Sequence, residues 1–162
     1  MDGKNTSVIK IDRSGIDFKD YLTEGTKWNI AEQNNLSSTL SEIDIEKVLF
    51  KFPSDEVKAN GEEYIKSVSE NEVPLDAYAF VAFWNNKDLI AERFKENHNK
   101  QQPIFRIFPG TIFENGYPGG PRYVLYICVE KDKIYHGYLW LGLNSWENRP
   151  IAYIKCESFS SN

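Results

Sequence analysis

Two apolar runs, Arg122–Val129 (RYVLYICV) and Ile134–Leu143 (IYHGYLWLGL), are separated by the short polar link Glu130-Lys-Asp-Lys133. Runs of this kind close as an antiparallel hairpin. A two-residue or four-residue loop gives the same register, with Val129 opposite Ile134. One face then carries Tyr123 opposite Trp140, Leu125 opposite Tyr138 and Ile127 opposite His136. The other carries Arg122 opposite Leu141, Val124 opposite Leu139, Tyr126 opposite Gly137 and Cys128 opposite Tyr135. Neither face is polar. The hairpin is therefore expected to be central, covered on both faces, or covered on one and used for binding on the other.

This register has chemical consequences. Cys128 and His136 point to opposite faces, which argues against a Cys–His nucleophilic pair. A one-residue slip would reverse that, but it needs a loop with a left-handed glycine, and the link has none. Gly137 opposite Tyr126 leaves bare backbone over which a ring can lie or a ligand approach.

Four strand-like runs, Ile104–Phe108, Arg122–Val129, Ile134–Leu143 and Ile151–Phe159, fill the second half. The first half mixes helix signals with polar connectors. Ile16–Leu22 reads as a short helix stopped by Gly25. Thr39-Leu-Ser-Glu42 has capping-box spacing before Ile43 and Val48, although 47–52 alternates well enough for a strand. Ser54-Asp-Glu opens a helix with Val57, Gly61, Tyr64, Ile65 and Val68 on its stripe. Ala77–Trp84 is continuously apolar, so its period does not separate helix from buried strand, and Asn85-Asn86 after it favours a strand. Asp88–Glu96 reads as a helix. The expected class is α+β: an antiparallel β-meander of about four to five strands, packed by helices mainly from the N-terminal half. A length of 162 residues suits one domain, here 8–159, with 1–7 and 160–162 as flexible ends.

Between the first two strand runs lies PGTIFENGYPGGPR (109–122), with four of the ten glycines and three of the seven prolines. A meander alternates its connections between two ends. Loops 109–121 and 144–150 (NSWENRP) then share one end, away from 130–133. They would gather Glu114, Tyr117, Arg122, Trp146 and Arg149, with Tyr123 where the chain re-enters the sheet. Trp, Tyr and Arg are the side chains most often found as interface hot spots. The glycines do not match a phosphate cradle, because the loop leads into a strand and no helix N-terminus faces the anion. A second candidate is His136 among Tyr138 and Trp140, as a general base or polar anchor in an aromatic pocket, or else a neutral core residue.

The net charge of −5 and pI near 5.1, without a basic cluster, argue against nucleic acid and suit a basic protein partner. No apolar stretch approaches a membrane span, and no secretion signal opens the sequence. The expected compartment is the cytoplasm, with Cys128 and Cys156 as reduced thiols. Two histidines and two cysteines without paired spacing give no metal site, and no cofactor motif occurs. The expected function is non-enzymatic protein binding, of the inhibitor, immunity or accessory type, through the two-loop end. The alternative is a small-molecule binding protein or enzyme with its pocket around His136, Tyr138 and Trp140. Oligomeric state stays open.

Overall fold

The computed structural model describes residues 7–23, 27–95, 103–116, 119–131 and 133–156. In chain order the elements are β1 (Val8–Lys10), β2 (Trp28–Gln33), β3 (Glu42–Asp44), β4 (Leu49–Lys51), α1 (Gly61–Lys66), β5 (Glu72–Pro74), α2 (Ala77–Asn85), α3 (Lys87–Lys95), β6 (Ile104–Asn115), β7 (Arg122–Glu130), β8 (Lys133–Trp140) and β9 (Ile151–Lys155). The fold is α+β. Strands β1 and β3 form a small ribbon, and the rest form one large sheet ordered β4-β9-β6-β7-β8, with β2 also on β6 and β5 also on β9.

The central hairpin has the expected register, from Tyr123 opposite Trp140 to Val129 opposite Ile134. The ladder runs to Glu130 opposite Lys133, and Lys131 of the link takes the left-handed conformation, φ 57°.

The rest of the sheet is not a meander. Strand β9 does not lie beside β8. It crosses to the far side of β6 and runs parallel to it, with Ile107 level with Ile151. Parallel pairing needs a crossover, and residues 141–150 supply one across a sheet face. Burial of Trp146 fixes its course: the ring is 0% exposed and clusters with Tyr64, Ile107, Val124, Leu141 and Ile151. A large ring gains more by crossing an apolar face than by staying in water.

Strand β6 also differs from the expectation. It runs on through Pro109-Gly110 to Asn115, so half of the expected loop 109–121 is strand. Its pairing with β7 is interrupted between Phe108 and Phe113, and there it turns to other partners. Gly110 N–H donates to Leu75 O at 2.7 Å, and Asn34 N–H donates to Gly110 O at 2.7 Å. A Cβ at Gly110 would stand 2.6 Å from Pro74 O, so only glycine permits this approach. A proline is tolerated beside such a bulge because the ladder is already broken.

Residues 77–84 form a helix, not a strand. Asp76 caps it, its carboxylate accepting the Ala79 N–H at 2.9 Å. The run is apolar on every side because α2 is enclosed, with Ala77, Ala79, Phe80, Val81, Ala82 and Phe83 all buried. The fully buried Asp76 carboxylate is met by Arg13 Nη1 and Gln33 Nε2, each at 2.9 Å. Thr111 donates to Gln33 Oε1 at 2.7 Å and accepts from Ala77 N–H at 2.9 Å. This network joins the N-terminal segment, β2, α2 and β6.

Elsewhere in the first half, tertiary pairing overrides local helix signals. The capping-box segment makes one 3-10 turn at Ser37–Thr39 and then β3, whose Ile43 pairs with Ile9. Ile16–Leu22 yields only the 3-10 turn Phe18–Tyr21. The strand option for 47–52 is realised as β4, and the helix expected from Ser54 starts at Gly61, capped by Asn60. Ser7 is buried and its hydroxyl donates to Asp44 at 2.7 Å, so packing begins at the edge of the expected flexible end. The expected ends 1–6 and 160–162, and Glu96 of the last predicted helix, lie outside the described residues.

The core lies on both faces of the sheet. One face packs Phe108, Phe113, Leu125, Ile127 and Val129 against α2, α3 and the N-terminal segment. The other packs Ile107, Val124 and Ile151 against Tyr64 of α1 and the crossover. Among the described residues no helix is long and apolar enough to cross a membrane.

Candidate functional site: the aromatic end of the sheet

The hairpin register puts Tyr123, His136, Tyr138 and Trp140 on one face, and the structure divides them. His136 is partly buried among rings. Its ring centroid lies 4.6 Å from Trp84, 5.3 Å from Tyr21 and 5.9 Å from Phe80, edge-on in each case. Its buried Nδ1 has no hydrogen-bond partner. Burial, then the Lys87 charge, hold the imidazole below its ordinary value. Lys87 itself sits 4.7 Å over the Trp84 ring. The His136 ring is partly buried, and three aromatic neighbours limit the approach to it.

Towards the hairpin's other end the rings are accessible. Trp28 of β2 leans over the sheet, 5.2 Å from Tyr123 and 5.3 Å from Tyr138, and Tyr123 and Tyr138 are 5.5 Å apart. Edge-to-face geometry at these distances stabilises each pair beyond area burial. Trp28 Nε1 donates to Thr23 O at 3.1 Å. Trp140, at the end of β8, is 49% exposed. Its ring lies across Gly142, where any Cβ would collide with it. Trp28 escaped the sequence reading. Its only local signal is the short alternation Trp28-Asn-Ile30, and its neighbours come from pairing with the distant strand β6.

The charged candidates are satisfied internally. Arg122 donates through Nε to Glu62 at 2.9 Å and through Nη2 to Glu32 at 2.7 Å. Burial alone would lower its guanidinium, but its hydrogen bonds to Glu62 and Glu32, together with their charges, outweigh burial and raise it. Arg122 thus clamps β7 to α1 and β2. Glu114 accepts the Gly119 N–H at 3.1 Å, holding the β6–β7 turn. Tyr117 lies outside the described residues.

Loop 144–150 does not join this end. Trp146 is fully buried, donates from Nε1 to Leu143 O at 2.8 Å, and meets Tyr64 at 6.0 Å. It presents no surface to a partner. Arg149 lies 5.1 Å over Phe105, in the group with Tyr126 on the opposite face, and donates to Ser145 O at 2.5 Å. The predicted nine residues therefore split. Tyr123, Tyr138 and Trp140 stay together on one face, Glu114 and Arg122 pair at the same end but on the other face, His136 lies under α2, and Trp146 and Arg149 lie across the sheet.

Two clefts open elsewhere. One of about 320 Å³ includes Glu32, Gln33, Lys66, Pro109 and Gly110. One of about 340 Å³ includes Asp12, Asp17, Asp20, Asn85 and Asn86. Neither is lined by His136, Tyr138 or Trp140. The Cys128 thiol is fully buried, and burial holds it above its ordinary value. Among the described residues no cluster of three or more His, Cys, Asp or Glu is placed to hold a metal ion. No family model, curated protein or solved structure matches this chain.

Proposed function

We propose that the chain is a non-enzymatic protein-binding protein, of the inhibitor, immunity or accessory kind, that meets its partner with the aromatic end of its sheet. The observation that carries this reading is Trp140, a half-exposed indole beside the partly exposed rings of Trp28, Tyr123 and Tyr138. Such rings offer large contact area at small conformational cost, and binding energy concentrates on them. The net charge of −5 favours encounter with a basic partner. The covering of His136 by Tyr21, Phe80 and Trp84 favours contact over catalysis at this face.

The test is affinity capture from source cells with the tagged wild type and with Trp140→Ala, side by side. A protein recovered by the wild type and lost by an equally stable variant supports the reading. Equal recovery by both removes the site.

A further inference from the structure

Strand β8 is an outer strand of the large sheet. Leu141 N–H donates to Arg122 O at 2.9 Å, which sets the phase of its ladder with β7. Bonded and non-bonded pairs alternate in an antiparallel ladder, so Ile134, His136 and Tyr138 turn their N–H and C=O outward. Among the described residues none of these groups has a hydrogen-bond partner, while the outward carbonyl of Trp140 already accepts Leu143 N–H at 3.1 Å. The other borders of the sheet are blunted. β4 is three residues long and soon followed by Pro53, β5 ends in Pro74, and β2 is bulged between Ile30 and Glu32. β8 has no proline and no charge between Ile134 and Trp140, so it lacks the devices that keep edges from pairing.

We propose that a second copy of this chain pairs with β8, antiparallel, across a two-fold axis at His136. Only this centring uses the three free residues and leaves the occupied Trp140 carbonyl out. Ile134 then faces Tyr138 of the other copy, a β-branched–aromatic pair, and Tyr135 faces Gly137. The one fixed charge of the strand, Lys133, faces Leu139, so no like charges meet. The turn packed on β8 adds both signs, Asp17, Lys19 and Asp20, and Lys87 lies near His136 from α3. The contact is isologous and closes as a dimer. Tyr138 belongs to both the contact and the aromatic end, but Trp140 lies beyond the paired residues and Tyr135 is outside the aromatic end, so Trp140→Ala and Tyr135→Lys probe the two separately.

The test is native mass spectrometry and sedimentation over a range of concentrations, with residue-resolved amide exchange. The expected species has twice the 18.8 kDa mass of the chain. The amides of Ile134, His136 and Tyr138 slow as it forms. Tyr135→Lys, at an exposed side chain, sets two cations beside the axis and weakens the dimer roughly tenfold without lowering the melting temperature of the diluted monomer. A monomer at every concentration overturns the proposal. So does a dimer that leaves these amides fast or ignores Tyr135→Lys, and so does occupation of β8 by a strand of another protein.

Discussion

Tyr126 lies across the bare backbone of Gly137: a Cβ added there would stand 2.6 Å from the Tyr126 hydroxyl oxygen and 2.8 Å from the ring carbon that bears it. The two residues are cross-strand partners in the central hairpin. Gly137→Ala forces the ring aside or spreads the strands. It is expected to lower stability by about 1 kcal/mol, the gain in strand propensity offsetting part of the strain. Chemical denaturation reads this directly, and an unchanged or higher midpoint contradicts the packing described.

Asp76 is the junction of four segments. Asp76→Ala removes the α2 cap and strands the Arg13 guanidinium and the Gln33 amide beneath the β6 bulge. The expected loss is about 3 kcal/mol. Asp76→Asn keeps an acceptor for Ala79 N–H and is expected to lose less. The order of the two midpoints in urea checks the assignment.

His136 makes stability depend on pH. Its folded pKa lies below the ordinary 6.5, so the unfolded chain binds a proton first as pH falls. Stability is therefore full above about pH 6.5 and declines below it, until the folded ring also protonates. Melting temperatures at pH 7.5 and 5.5 measure the slope. His136→Phe is expected to flatten it, and an equal slope in that variant assigns the effect to other groups.

Two tryptophans six positions apart in the chain have opposite roles. Trp146→Ala empties a fully buried site against Tyr64, Val124 and Gly61, with an expected loss of at least about 3 kcal/mol. Trp140→Ala, half in water, is expected to cost less than about 1 kcal/mol while abolishing partner recovery. Thermal melts of the two variants, set beside the capture experiment, separate packing from binding.

The hairpin was legible because loop length and alternation fix its register locally, and the sharing of one face by Tyr123, Tyr138 and Trp140 followed from that. What decided the remainder is distant in sequence. Ala77–Trp84 is apolar on every side, and the deciding feature is the Asp76 cap, whose partners Arg13 and Gln33 lie far upstream. Pro109-Gly110 reads as a loop until β2 and Leu75 are seen to pair with it. Loop 144–150 is polar around Trp146, and only its passage over Val124 shows why that ring is inside. Trp28 reaches the site through the β2–β6 pairing, which leaves almost no trace near residue 28.

Strand β9, near the end of the described chain, is an interior strand, with β4 on one side and, on the other, β6 beside Ile151 and β5 beside residues 153–155. Residues 151–155 therefore complete the sheet only by meeting strands from three distant parts of the chain. Such non-local closure slows folding, and any state that lacks it exposes a flank of β6, an edge open to capture by chaperones.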